Sequence, residues 1–144
     1  MLKGAVIYGA NARGKSNFIR AMNTMKRIVM FSFNQASTKS LDVTPFLLNT
    51  ETEKKPSHFE VLFEILGVRY RYGFEVTHIE IVAKWLYESK KSAEKLLFIR
   101  HGDGIEVASS YKEGLNLEEK TRNNALFLSV VNQFNGLISK RIIK

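Results

Sequence analysis

The sequence predicts an α/β fold in which a buried strand, a glycine-rich loop and a helix precede an antiparallel β-meander. The apolar run at residues 2–8 ends at a glycine, as a buried strand would. Beyond the loop, apolar residues recur at the spacing of one helix face, at Phe18, Met22, Met25 and Val29. From residue 59 onwards, apolar and polar residues alternate with a period of two, which indicates strands with one buried face.

The alternation covers three consecutive runs, at residues 59–66, 68–76 and 79–87. Two further short runs, 96–100 and 104–108, flank a hairpin turn at residues 101–104. We expect Phe63, Tyr72, Phe74 and Trp85 to be buried, against each other or against the helix face. The alternative for Trp85, Tyr70, Tyr72 and Tyr87 is an exposed platform on which nucleic-acid bases stack. Residues 124–131 are predicted to form a strand or the start of a core element.

Composition limits the class of protein. The chain has 144 residues, of which 44% are hydrophobic and 25% charged, as expected for one globular domain. The absence of cysteine excludes disulfides and thiolate metal sites. No apolar run reaches about 18 residues, so we expect no membrane span, and with no signal peptide the predicted location is the cytoplasm.

Positive charge is concentrated at both ends of the sequence. The net charge is +8, yet residues 1–41 hold seven Lys or Arg and residues 120–144 hold five, with no acidic residue in either segment. Residues 42–119 hold ten basic and fourteen acidic residues. Such a distribution favours a polyanionic partner, either nucleotide phosphates or nucleic acid. The simpler interpretation is a solvated basic surface.

Residues 9–16, GANARGKS, fit the P-loop pattern G-x-x-x-x-G-K-[ST]. The glycines let the backbone wrap tightly, so that successive N–H groups point at one anion. The following helix directs its N-terminal N–H groups and its dipole at the same phosphates. Lys15 is then expected to reach the β- and γ-phosphates, and Ser16 to offer its hydroxyl to Mg²⁺.

The wider string at residues 8–17, followed by Ala21, resembles the loop of ABC-type ATPase heads of the SMC and RecF group. It is still more similar to predicted AAA-type ATPases related to the overcoming-lysogenisation-defect (OLD) nucleases and abortive-infection ATPases. Strings at residues 45–48, 56–60, 70–75, 85–87 and 97–100 extend the resemblance over most of the chain. The resemblance implies that ATP and Mg²⁺ are held by the loop residues Gly9, Asn11, Ala12, Arg13, Gly14, Lys15, Ser16 and Asn17. Relatives usually carry a small residue where this chain has Arg13.

The resemblance also implies the domain organisation, a single incomplete P-loop ATPase domain. Residues 1–41 would form the strand, P-loop and helix, residues 42–119 the antiparallel β-subdomain, and residues 120–144 a return strand and basic tail. A missing C-terminal lobe or a second ATPase subunit would complete the site. A homodimer is also expected, but it would not supply the hydrolysis motifs that this sequence lacks. DNA is a further expected partner, because relatives serve DNA transactions or antiphage defence.

Hydrolysis by ABC-type heads needs an apolar run ending in Asp-Glu and a Leu-Ser-Gly-Gly signature. The sequence has neither, since Asp42 and Asp103 are its only aspartates and neither ends such a run. The segment 61–64 ends in Glu64 but lies in an alternating strand. Gln133 resembles the Q-loop glutamine that reaches Mg²⁺, and an ordinary loop glutamine is the alternative. We therefore predict nucleotide binding without hydrolysis by this chain alone, and no catalytic residue is assigned.

Two other classes of function remain open. One is a non-enzymatic, basic, β-rich module that binds nucleic acid or protein while its P-loop is idle. The other is a small nucleotide kinase, which needs an acceptor site and an arginine-rich lid that the sequence does not display. His58, His78 and His101 lack the spacing of metal ligands.

Overall fold

The computed structural model describes residues 14–34, 36, 40–41, 55–90, 93–102 and 104–144. The predicted first strand, at residues 2–8, and loop residues 9–13 lie outside these ranges. So does the apolar segment 45–48. The fold is therefore described from the last glycine of the P-loop pattern onwards.

Helix α1 spans Lys15–Phe31 and continues into a 3₁₀ turn at Ser32–Asn34. Its burial is confined to the C-terminal half, where Met25 and Ile28 are the buried residues. The predicted apolar stripe therefore holds only in part, because Phe18 and Met22 remain 53% and 46% exposed. The C-terminal half is buried because it packs against the helix near the end of the chain.

The described strands form a five-stranded antiparallel sheet in the order β1-β2-β3-β4-β5. They are β1 (Ser57–Ile65), β2 (Val68–Val76), β3 (Ile81–Ser89), β4 (Lys95–His101) and β5 (Gly104–Val107). Each strand pairs with the next along the chain. The predicted meander is thus confirmed, including the hairpin that joins β4 to β5.

One face of the sheet forms the main core. Phe74 is fully buried and stacks on Phe59 of β1, and Tyr70 stacks on Phe63, with ring centroids 5.3 and 5.7 Å apart. Aromatic pairs of this kind stabilise a fold beyond the area that they bury. Tyr72 is 2% exposed, as predicted, whereas Phe63 is only half-buried and packs against the core.

Trp85 is also buried, at 8% exposed, but it lies on the opposite face of the sheet from Tyr72 and Phe74. The β2–β3 register pairs Gly73 with Trp85 and Arg71 with Tyr87. Directly paired residues share a face, so Trp85 and Tyr87 belong to the Arg71 face. The burial of Trp85 is thus as predicted, but its expected packing against Tyr72 and Phe74 is wrong, because Trp85 lies on the other face of the sheet.

A β-bulge accounts for this change of face. The register between β2 and β3 shifts between Glu75 and Val76, whose partners are Ala83 and Ile81. One extra residue in a strand moves every later side chain to the other face. Ile81 therefore belongs to the core face, whereas beyond the bulge the core positions of β3 are Lys84 and Leu86.

The end of the chain is helical. Helix α2 spans Phe127–Gln133 and α3 spans Leu137–Ile143. This corrects the return strand expected within residues 124–131, although the segment is a core element, since Phe127–Val131 are all buried. A short run that is apolar on every side shows no period, so the sequence pattern does not separate a buried strand from a buried helix. None of the described helices is both long and apolar enough to cross a bilayer.

Lys84 lies within this core, with none of its side chain exposed. Its Nζ donates to the carbonyl oxygen of Ala125 at 2.8 Å. Arg100 is paired with it across β3 and β4, and donates to the carbonyl oxygen of Gly102 and to Oδ1 of Asn123. Burial, with a smaller contribution from Arg100, lowers the pKa of Lys84 to about 7.

The close approach of Trp85 to β2 predicts that Gly73→Ala is destabilising. A Cβ at Gly73 would lie 2.5 Å from the indole ring and 2.8 Å from the carbonyl oxygen of Phe59. We expect a loss of about 1–3 kcal/mol in the free energy of unfolding, as for overpacked cores. Urea unfolding followed by the fluorescence of the single tryptophan measures it.

Gly104→Ala is the matched control, because a Cβ there meets no atom within 4 Å. Equal stability of the two variants would contradict the packing of Trp85 over Gly73.

The buried amine predicts an unusual pH dependence of stability. The pKa of Lys84 falls from 10.5 in the unfolded chain to about 7 in the fold. Between these values the unfolded chain binds more protons, so the free energy of unfolding should rise with pH. The slope approaches about 1.4 kcal/mol per pH unit. Well below pH 7 the slope vanishes, because Lys84 is then protonated in both the folded and the unfolded chain.

Urea unfolding of the wild-type protein and Lys84→Met between pH 7 and 9.5 measures this slope. Lys95→Met, an exposed lysine of the same sheet, should keep the wild-type slope. Parallel curves for wild type and Lys84→Met would show that Lys84 is charged in the fold.

Candidate nucleotide-binding site

The described part of the P-loop is the junction between Gly14 and α1. Gly14 has φ +84° and stands directly before Lys15, the first residue of the helix. Residues that carry a side chain rarely adopt this left-handed backbone conformation, so the local backbone favours glycine here. A Cβ at this position would meet no atom within 4 Å, so the constraint is the backbone angle and not crowding. The second glycine of the motif thus has a physical reason for its position.

Lys15, Ser16 and Asn17 form the first turn of α1. The turn contains no acidic residue, and Gly14 provides no side-chain cap for its N–H groups. Backbone N–H groups at a helix start, together with the helix dipole, attract anions. The arrangement therefore suits a phosphate, with the Lys15 ammonium and the Ser16 hydroxyl on the same turn. Gly9, Asn11, Ala12 and Arg13 lie outside the described residues.

The other end of α1 is fixed to the segment before α2 by several hydrogen bonds. Leu126 N–H donates to Ser32 Oγ at 3.1 Å, and Ser129 Oγ–H donates to the carbonyl oxygen of Val29. Side chains of the same segment reach the residues that follow α1. The Arg122 guanidinium donates to the carbonyl oxygen of Phe33 and the Asn124 amide to that of Ala36.

These contacts set the place of Gln133. Leu126 meets Ser32 and Ser129 meets Val29, so α2 runs antiparallel to α1. At the helical rise of about 1.5 Å per residue, Gln133 lies about 6 Å beyond Ser129, whereas Ser16 lies about 20 Å from Val29. Gln133 is exposed, and no hydrogen bond joins it to Ser16. Its contact with Mg²⁺ stays a prediction.

No group of three or more His, Asp or Glu side chains able to hold a metal occurs in the described ranges. His58 is instead paired with Glu75, and its Nδ1 lies 3.2 Å from the Oε1 atom of that carboxyl group. The centroid of its ring lies 5.3 Å from that of Trp85. The surface around Trp85 is thus built from paired groups. Of the described residues of the P-loop pattern, Ser16 offers a hydroxyl that could contact a Mg²⁺ ion bound with the phosphates.

The face of the sheet that carries Trp85 is closed by a polar network. Glu60 accepts from the Trp85 indole N–H at 2.8 Å and from Arg71 at 3.3 Å. Arg71 also donates two hydrogen bonds from its Nε and Nη2 to Glu94 and covers the Tyr87 ring at 4.2 Å. The Glu94 hydrogen bond raises the pKa of Arg71, and Arg71 lowers the pKa of the Glu94 carboxyl.

This network bears on the stacking-platform alternative. Tyr70 and Tyr72 are buried in the main core, Trp85 is 8% exposed, and Arg71 already covers the Tyr87 ring. An open row of rings for bases is therefore not present on the described sheet. Arg69 and Arg71 do share the face opposite Tyr70 and Tyr72, as the alternation predicts.

Lys84, which contacts the segment that holds the C-terminal end of α1, is a residue that the sequence pattern does not reveal. It occupies a polar position in an alternating run, which predicts a solvated side chain. Only the bulge in β3 brings it to the core face, and a bulge is set by pairing between distant segments.

Comparison with known families gives one result of wide coverage. The family described as "AAA domain, putative AbiEii toxin, Type IV TA system" matches residues 5–143. Comparisons with curated proteins and with solved structures give no significant match. The match spans nearly the whole chain, including the P-loop pattern, α1, the sheet and α2. The chain therefore belongs to this AAA-domain family, whose members have the nucleotide-binding module of P-loop ATPases.

Proposed function

We propose that this chain is the ATP- and Mg²⁺-binding lobe of an ABC/SMC-like ATPase that serves DNA transactions or antiphage defence. The observation that carries the proposal is the start of α1, where Gly14 in the left-handed conformation precedes Lys15 and Ser16. The family match supports the nucleotide-binding part. The ABC/SMC-like character and the biological role rest on the resemblance of the loop and β-subdomain strings.

Each group of the loop has a distinct task in this proposal. The N–H groups of the first turn of α1 hold phosphate oxygens through hydrogen bonds and the helix dipole. The Lys15 ammonium neutralises charge at the β- and γ-phosphates, and Ser16 offers its hydroxyl oxygen to Mg²⁺. The ion bridges phosphate oxygens and thereby orients the triphosphate.

A first alternative is a nucleic-acid-binding module with an idle P-loop, favoured by the acid-free basic segment 120–144. Counterion release would make such binding fall steeply with salt concentration. DNA binding with this salt dependence, unchanged by Lys15→Ala and without binding of Mg-ATP, would replace the proposed function.

The proposed role of Lys15 predicts that Lys15→Ala weakens Mg-ATP binding by at least about tenfold. Charge-assisted contacts contribute roughly 1.5–3 kcal/mol, and about 1.4 kcal/mol corresponds to a factor of ten. Stability should change little, because Lys15 is only half-buried at the start of α1. Titration calorimetry at low salt measures both affinities.

Lys26→Ala is the control, since Lys26 is an exposed lysine on the same helix. Equal affinities of wild type and Lys15→Ala, or no Mg-ATP binding by wild type, would refute the proposed function.

A second prediction concerns turnover. The purified chain should release phosphate from ATP at far below one turnover per second, because the sequence has no Asp-Glu run to orient water and no signature motif. Loss of each such group typically reduces the rate by orders of magnitude. A phosphate-release assay measures the rate, with Lys15→Ala as the control for contaminating ATPases.

Turnover near one per second that disappears in Lys15→Ala would contradict this prediction. Glu64, exposed on β1, would then be the first carboxylate to test.

A further inference from the structure

Helix α1 is held mainly at one end. Met25 and Ile28 are buried in its C-terminal half, whereas Phe18, Ile19 and Met22 nearer the P-loop are each at least 46% exposed. Among the described residues, the hydrogen bonds from the end of the chain to α1 and its 3₁₀ turn reach residues 29–33. The direction of the helix is therefore set by what holds its C-terminal end.

One peptide group at that end is bonded on both sides. The peptide between Ala125 and Leu126 contributes its N–H to Ser32 Oγ at 3.1 Å. Its carbonyl oxygen, which belongs to Ala125, accepts from Lys84 Nζ at 2.8 Å. Ala125 and Leu126 are 1% and 0% exposed, so water does not replace either partner. Lys84, this peptide and Ser32 thus form one hydrogen-bonded connection between β3 and the end of α1.

Among the described residues, the side chain that donates a hydrogen bond to the carbonyl oxygen of Ala125 is that of Lys84. The nearby Arg100 is already engaged by Gly102 and Asn123. A methylene chain without the amine would leave a buried carbonyl oxygen without its partner, and such groups are costly. The segment would then shift to find another donor, and Ser32 would shift with it.

We propose that Lys84 is a positioning residue for the nucleotide site, which fixes α1 through the Ala125–Leu126 peptide and so places Lys15 and Ser16. The length of α1 makes this connection effective. The 17 residues of the helix span about 25 Å, so a rotation of about 2° at its anchored end moves its start by about 1 Å. Displacements of that size are large for groups that must meet phosphate oxygens.

The connection also works in the other direction. Coupling between two sites is reciprocal, so a ligand that fixes the start of α1 should stabilise the contact at its end. Binding of Mg-ATP is therefore expected to slow hydrogen exchange of the Leu126 amide, although this amide lies far from the phosphates. The choice of Mg-ATP as ligand rests on the proposed function.

The test compares Lys84→Met with Lys95→Met in the full chain. Methionine keeps the apolar stem and removes the donor, while Lys95 is an exposed lysine of the neighbouring strand. We expect Lys84→Met to weaken Mg-ATP binding about fivefold or more, within the usual range of coupling between sites. Calorimetry measures the affinity, and circular dichroism with thermal unfolding verifies that each variant is folded.

Ser32→Ala interrupts the same connection on the α1 side and serves if Lys84→Met does not fold. Since both variants break one chain of bonds, their effects on affinity should not add, and the double variant should resemble the weaker-binding single variant. Additive losses, or wild-type affinity in a folded Lys84→Met or Ser32→Ala, would overturn the proposal.

Hydrogen exchange without nucleotide separates this proposal from the proposed function. Lys84→Met should accelerate exchange of the Leu126 amide and of the α1 amides around Met25, and Lys95→Met should not. Unchanged exchange in Lys84→Met would refute the coupling even if wild type binds no Mg-ATP. Accelerated exchange in a chain that binds no Mg-ATP would leave the connection intact and refute the nucleotide assignment.

Discussion

The Ala125–Leu126 peptide is the constraint on which the described arrangement depends. Its two polar groups are used in opposite directions, the carbonyl oxygen by Lys84 of the sheet and the N–H by Ser32 at the end of α1. A buried peptide must satisfy both groups, and here no strand partner or helical turn does so. The sheet, the start of α2 and helix α1 are consequently joined through one planar unit.

The strands of this fold are predictable because their signal is local. Alternation over residues 59–66 and 68–76 reports a pleated strand with one buried face, and β1 and β2 follow it closely. The same rule fails in β3, where a bulge changes the face of every later residue. Trp85 and Lys84 exchange sides as a result. Whether a strand contains a bulge depends on its partner, which the sequence of that strand does not specify.

The burial of α1 and the helical structure of α2 are harder to predict, for a related reason. The stripe that includes Phe18 and Met25 is one helix face, but a face is buried only where another element covers it. Helix α2 covers only the C-terminal half of α1. Residues 127–131 are apolar apart from Ser129, so their pattern fits a strand as well as a helix. The P-loop pattern is recognisable in the sequence because its groups are neighbours along the chain, whereas Lys84 and Ala125 are brought together only by the fold.

The buried amine also changes how the charge of the chain should be interpreted. The formal net charge of +8 counts Lys84 as a full cation, yet burial lowers its pKa to about 7, so Lys84 contributes only part of one unit charge at neutral pH. On the sheet, Arg71 is balanced by Glu60 and Glu94. The excess of basic residues that would favour a polyanion therefore lies at the two acid-free ends of the sequence, residues 1–41 and 120–144. One of these ends contains the P-loop. A nucleic acid bound in addition to nucleotide would accordingly be expected at residues 120–144, which hold five basic and no acidic residues, because Coulomb attraction follows the local excess of positive charge.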